Sequence, residues 1–313
     1  MRRSNLNPKN MRFNKLICFL LITVKMTCIS GFHLSGSSFK RRLFSSSLSP
    51  SRLFSSALTG EKEITSDGVY IVNQMPPDLP SLRNTYYLLR HGQSWGNVEG
   101  VISSARSLAT SEKHGLTPLG YEQGKGSAAC LLKDIKEQDE IPSNGRELFF
   151  YSSPFARAKQ TALACLNGLL EEQSSLKDSK LNIQSEIRIE DGIMERFFGR
   201  LDDEAIHTYA YVWPVDMFDV THTAFEVESV AAVSTRLRET IVRIEANHEE
   251  GGDIIVLVSH ADVLQILQMY AANPSNVVMF SSYRFANGEV REMGTSPESL
   301  PEPQPLQPPK IGT

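Results

Sequence analysis

The sequence predicts an α/β fold: a three-layer sandwich in which a mostly parallel central sheet carries helices on both faces. Two observations lead there. Short apolar runs without polar alternation recur along the body of the chain, as in strands buried on both faces. Each of the main runs is followed by a helical pattern, and strands alternating with helices imply one mostly parallel sheet. Such sheets bind ligands at the carboxyl ends of their strands, so the strand ends are where chemistry is expected.

The elements fall between about residues 85 and 293. TYYLLR (85–90) is apolar and aromatic-rich and stops at His91-Gly92, as a buried strand does. Thr117-Pro118 starts a helix, with Thr as N-cap and Pro at the first helical position, running to about Ile135. ELFFYSS (147–153) is a second strand, and Pro154 opens a helix through about Leu170. Val230, Val233, Leu237, Ile241 and Ile244 recur at three- and four-residue steps, which makes 228–247 an amphipathic helix. DIIVLVS (253–259) is a third, continuously apolar strand that runs into His260 and the helical ADVLQILQMYA. A weaker strand is expected around Asn287–Glu292. No internal repeat is visible and one domain accounts for the body.

Both ends differ from this body. Residues 1–60 contain ten Lys or Arg and no Asp or Glu. LICFLLITV (16–24) follows a basic flank, suits a signal-peptide core and is too short to span a bilayer. The Ser- and Arg-rich stretch behind it has transit-peptide composition. Together they resemble a bipartite presequence for a plastid reached by the secretory route. A mitochondrial presequence is the alternative reading, and a disordered basic tail the plain one. Residues 61–84 are expected to be linker. The stretch 294–313 is Pro-rich and is expected to be a disordered tail.

The net charge of -4 hides an asymmetry: past residue 60 the chain has 22 basic against 36 acidic residues. A body so acidic repels a nucleic-acid backbone, so no nucleic-acid partner is expected. Any phosphate must be held by a local positive cluster. No stable membrane insertion of the mature domain is expected. The four cysteines (Cys18, Cys28, Cys130, Cys165) show no CxxC or ligand-like spacing, which argues against a disulfide scaffold or a structural zinc. No metal site or cofactor is expected.

The strand ends supply the missing positive groups. The first ends in Arg90-His91-Gly92-Gln93-Ser94, the second is followed by Arg157 in the first turn of its helix, and the third ends in Ser259-His260. Four side chains able to bear or share positive charge therefore converge on one sheet edge, beside helix N-termini that favour an anion. Arg157 can offer its planar fork to two phosphate oxygens.

These motifs resemble the histidine phosphatase superfamily, which includes the cofactor-dependent phosphoglycerate mutases. The resemblance covers about 85–292 and rests on LLRHGQSWGN, LTPLGYEQG, SSPFARAKQTA, MERFFG and VSHAD in that order. It implies a phosphoglycerate mutase-like sandwich and a phosphoric monoester hydrolase acting on a small phosphorylated metabolite. It also implies the roles. His91 is the nucleophile that becomes phosphohistidine. Arg90, Arg157 and His260 hold the phosphoryl oxygens, with Asn97 and Gln93 or Ser94 adding hydrogen bonds. Glu195 is proton donor and then acceptor, which requires a raised pKa.

Other readings stand beside these. His91 or His260 can be structural, the latter as a helix cap, and Glu195 can pair with Arg196 on the surface. His114, His207, His222 and His248 lack partners at metal-ligand spacing. Ser259 lacks the G-x-S-x-G elbow of a serine hydrolase. A mutase-type transferase shares the same pocket, but residues 200–225 hold only Arg200 as a strong base among five acids, which favours hydrolysis. A silent phospho-ligand binder is a third reading. Tyr209, Tyr211, Trp213 and Phe218 in that segment suggest an aromatic-lined entrance, unless they merely pack on the body. Val227-Glu228-Ser229 lacks the glycine usual before the 228–247 helix in relatives, which puts that loop's role in the site in doubt.

Overall fold

The computed structural model describes residues 62–64, 70–72, 74–108, 111–137, 145–172 and 180–305. The presequence expectation for 1–60 and the last residues of the tail, 306–313, lie outside the described residues. A short antiparallel pair, β1 (Lys62–Ile64) and β2 (Tyr70–Val72), precedes the main sheet. That sheet has five strands: β3 (Thr85–Arg90), β4 (Arg146–Ser152), β5 (Leu181–Ile189), β6 (Ile254–Ser259) and β7 (Val290–Glu292). Their spatial order is β5-β4-β6-β3-β7. All neighbours are parallel except β7, which runs antiparallel to β3.

The helices are α1 (Trp95–Glu99), α2 (Pro118–Glu137), α3 (Ala156–Glu172), the one-turn α4 (Trp213–Asp216), α5 (Val230–Asn247) and α6 (Ala261–Ala272). Strand side chains alternate between two cores. Tyr87, Leu89, Phe150 and Val256 pack against α2 and α3, whereas Tyr86, Leu88, Tyr151 and Leu257 pack against α5 and α6. Both faces of the sheet are therefore buried, the reason its central strands read as unbroken apolar runs. Among the described residues no helix is long and apolar enough to cross a membrane.

Three expectations need correction. β5 was not expected; it is an edge strand, and Gln184, Glu186 and Arg188 break its apolar pattern. Residues 75–84, expected as linker, lie on the core: Met75 is buried with Leu79 and Leu82 beside it, and Tyr270 donates to the Pro77 carbonyl. Asn84 and the Arg83 backbone N–H donate to the Glu245 carboxylate at 3.0 and 2.9 Å. Nor is 294–305 a disordered tail. It makes a 3-10 turn at Pro297–Ser299, packs Leu300 on the core and donates the Gln304 N–H to the Ser282 carbonyl at 2.7 Å.

Candidate active site

The parallel pairing of β3 with β6 puts Arg90 opposite Ser259, so the residues that follow, His91 and His260, emerge side by side. The His91 N–H donates to the Ser259 carbonyl at 3.0 Å, and the Ser153 N–H to the Val258 carbonyl at 3.0 Å. The two imidazoles meet edge to face, 5.2 Å between centroids. Gly92 permits the close approach of α2, because a Cβ there would sit 2.2 Å from the Gly120 carbonyl oxygen. Its N–H donates to Thr161 Oγ1 at 3.0 Å, and that hydroxyl donates to the Arg157 carbonyl at 2.7 Å. One chain of bonds thus ties the first strand end to the first turn of α3.

His91 is buried and oriented at both nitrogens. Nδ1 donates to its neighbour's carbonyl, Gly92 O, at 2.7 Å, which leaves Nε2 with the lone pair. Arg157 Nε donates to that Nε2 at 3.2 Å. Burial, and next the charges of Arg157 and Arg90, hold the His91 pKa well below the usual histidine value, which favours the neutral ring. Arg157 is itself buried and also donates from Nη2 to the Ser103 carbonyl at 2.9 Å.

Two further groups face His91 with hydrogen-bonding capacity unspent. Arg90 donates from Nη1 to the Phe285 carbonyl at 2.6 Å, but its buried Nε has no partner among the described residues. His260 Nε2 and the Ser153 hydroxyl share a hydrogen bond of 2.8 Å, and the buried Nδ1 has no hydrogen-bond partner among the described residues. Burial, then Arg157, keeps His260 neutral by pushing its pKa well down. Buried polar atoms without partners are costly, and these two converge beside His91.

Glu195 stands at the edge of this group, 3.7 Å from Arg157 Nη2 and 3.6 Å from His260 Nδ1. Burial pushes its pKa up to about 7, against the opposing pull of Arg157. Such a carboxyl can give and take a proton near neutrality. The expected alternative, a surface ion pair with Arg196, does not form. The Arg196 side chain is fully buried and grips Asp216 through Nη1 and Nη2 at 2.8 and 2.7 Å, with Asp262 3.5 Å away. Its backbone N–H donates to Glu195 Oε1 at 3.0 Å, which helps to orient that carboxyl.

The minor candidates separate. Ser94 and Asn97 line the cavity and cap α1 reciprocally, the Asn97 N–H on Ser94 Oγ at 3.3 Å and the Ser94 N–H on Asn97 Oδ1 at 3.1 Å. Asn97 Oδ1 also accepts from Asn287 at 3.3 Å, so the amide nitrogen is what Asn97 can offer a phosphate. Gln93 is a correction: its Oε1 accepts the Thr117 hydroxyl at 2.9 Å, and it is absent from the cavity lining. The turn that brings Gly92 against Gly120 sends the next side chain towards α2 instead. Glu228 holds Arg236 and the Phe197 N–H, and Ser229 caps α5, so that loop braces the site without lining it.

Sequence reasoning missed Ser103, Ser153, Arg196 and Asp262. Ser153 and Asp262 flank recognised positions and were within reach; Arg196 looked like any charge beside Glu195. Of the other histidines, His114, His222 and His248 bond Ser103, Asp216 and Asp253, while His207 lines the cavity rim. Among the described residues no group of three or more His, Cys, Asp or Glu is arranged to hold a metal ion.

The family model described as histidine phosphatase superfamily (branch 1) matches residues 86–300. The chain belongs to that superfamily. No curated protein matches it in sequence. Among solved structures it is similar to mycobacterial hydrolase 2, at 20% identity and a TM-score of 0.50 over 69% of this chain and 87% of that one. It is also similar to a mycobacterial glucosyl-3-phosphoglycerate phosphatase, at 18% identity and a TM-score of 0.49 over 67% and 92%. A third is a putative alpha-ribazole-5′-phosphate phosphatase from Escherichia coli, at 19% identity and a TM-score of 0.45 over 67% and 89%. The first of these likenesses establishes the shared fold of this superfamily member.

Proposed function

We propose that this histidine phosphatase superfamily member hydrolyses a small phosphate monoester through a phosphohistidine on His91, without a metal ion. The observation that carries the reading is the convergence of His91, fixed with its lone pair at Nε2, on the unpartnered buried nitrogens Arg90 Nε and His260 Nδ1, the latter a donor in this reading. An incoming phosphoryl group gives those donors their acceptors and competes with His91 Nε2 for the Arg157 Nε–H.

The reaction has two halves. His91 Nε2 forms a bond to phosphorus as the ester P–O bond breaks, and Glu195 delivers its proton to the departing alkoxide. Water then attacks phosphorus and loses a proton to Glu195, the N–P bond breaks, and inorganic phosphate leaves with His91 neutral again. Arg90, Arg157 and His260 stabilise the equatorial oxygens in both halves, a positioning and charge role that two guanidiniums and an imidazole can fill. Hydrolysis is favoured over return of the phosphoryl group, because Arg200, the strong base of 200–225, is an exposed partner of Glu226 and does not line the cavity.

The test is phosphate release from a panel of monoesters in EDTA, with His91→Ala alongside and acid-quenched protein analysed for phosphohistidine. Release that survives chelation, vanishes in His91→Ala and passes through an acid-labile phosphoprotein is expected. Loss of activity in EDTA overturns the metal-free mechanism, and interconversion of 2- and 3-phosphoglycerate without release replaces hydrolysis by transfer.

A further inference from the structure

The cavity, about 540 Å³, is far larger than a phosphate group, and its outer part differs from its floor. Val101, Ile206, Tyr209, Trp213, Met217 and Phe285 wall that part. Tyr209 and Trp213 stack nearly parallel, with 4.7 Å between centroids and 7° between planes. Neither ring has much freedom: Tyr209 stands edge-on to buried Phe198, and Trp213 Nε1 donates to Asp262 Oδ2 at 3.1 Å. Asp262 in turn lies 3.5 Å from Arg196, which is locked to Asp216 one turn beyond Trp213. The aromatic wall is set before any ligand arrives, and a preformed surface spends little ordering entropy on binding.

Polar groups on this outer part are few, chiefly Asp262, Gln265, Ser281 and His207. A second anion on the ligand would meet Asp262. Among the described residues the one arginine or lysine lining the cavity outside the floor is Arg284, which already donates from Nε to Gln304 and from Nη2 to the Pro305 carbonyl. A polyol would leave hydroxyls against apolar wall without partners, which is costly. We infer that the organic part of the substrate is uncharged, flat and apolar, about one or two fused rings in size, packed on the Tyr209–Trp213 wall. The inference rests on the phosphatase reading for the end that enters first, the phosphate.

Binding to the His91→Ala protein tests it without turnover. The probes are 2-naphthylmethyl phosphate, glycerol 3-phosphate and 3-phosphoglycerate, titrated by calorimetry. The naphthylmethyl ester is expected to bind at least about tenfold tighter than either other ligand, the scale of an aromatic contact added to burial. Trp213→Ala on that background should remove most of the preference. Because this change frees Asp262, Ile206→Asp at the exposed rim serves as a second variant and should also reduce the preference. Equal or tighter binding of the carboxylate or polyol ester overturns the inference, as does no measurable binding of the naphthylmethyl ester or a preference that neither variant changes. Turnover by the unmodified protein separates the two readings, since naphthylmethanol and glycerol are both ordinary primary-alcohol leaving groups. A binding preference without hydrolysis sinks the phosphatase reading alone, whereas hydrolysis with the opposite preference sinks this inference alone.

Discussion

On the floor of the cavity, His91, Arg157 and His260 emerge beyond the ends of three hydrogen-bonded strands. On its wall, Tyr209 and Trp213 sit in short 3-10 and helical turns over Ile206–Asp216, with no sheet behind them. The floor gains its geometry from backbone register: once Arg90 pairs with Ser259, the two histidines can only be neighbours. The wall is braced by a buried side chain, Arg196, which reaches Asp216, Asp262 and the Glu228 carbonyl together, with His222 bonded to the same Asp216. The groups proposed to make and break bonds stand on the rigid ladder, and those proposed to touch the rest of a ligand stand on a segment held largely by buried side-chain contacts of Asp216 with Arg196 and His222.

The largest effects are expected on the floor. His91→Ala should lower kcat by about 10⁴-fold or more, as removal of a nucleophile does elsewhere; a variant keeping a tenth of the activity would rule His91 out. Glu195→Gln should cost about 10²–10⁴-fold with alkyl phosphates. It should cost much less with p-nitrophenyl phosphate, whose leaving group needs no proton. In the proposed mechanism the transfer step uses the protonated carboxyl, so kcat/KM for alkyl esters should fall as pH rises through about 7, the value to which burial raises Glu195. Arg157→Ala should lower kcat about 10²–10³-fold. Arg157 also pulls the Glu195 pKa down, so its removal should move the falling limb of the pH profile to higher pH; a limb displaced to lower pH would contradict the assigned coupling.

The wall is probed by stability. Arg196→Met leaves Asp216 and Asp262 buried without their cation and should cost about 3–5 kcal/mol in urea unfolding. The paired change Arg196→Met with Asp216→Leu should recover part of that loss, because it removes a stranded charge as well as its partner. A single-variant cost below about 1 kcal/mol would mean that Arg196 does not anchor the wall. The smallest effect is expected at Gln93→Ala, a floor position by sequence but turned away onto Thr117. Its cost should stay near the value of one hydrogen bond, about 1 kcal/mol of stability. A large loss of kcat there would return Gln93 to the site.

The legible parts of the fold share one property. β3, β4 and β6 are buried on both faces and read as apolar runs, whereas edge strand β5 alternates with Gln184, Glu186 and Arg188 and looked like loop. Residues 75–84 were missed for a related reason: Met75, Leu79 and Leu82 are too sparse among prolines to form a periodic signal, yet each finds the core. At the site, His91, Arg90, Arg157 and His260 stood out because each sits at a strand end or in a first helical turn. Arg196 did not, since nothing local separates a buried charge from a solvated one.

The sequence by itself determined the order of the elements and which side chains arrive at the strand ends, because hydrophobic period and turn residues act over a few positions. Only the tertiary structure decided the partner of His260, the turn of Gln93 away from the cavity and the burial of Arg196 between two aspartates. Those outcomes depend on partners from distant segments, such as Ser153 for His260 or Asp216 for Arg196, and a residue's local neighbours carry no record of them.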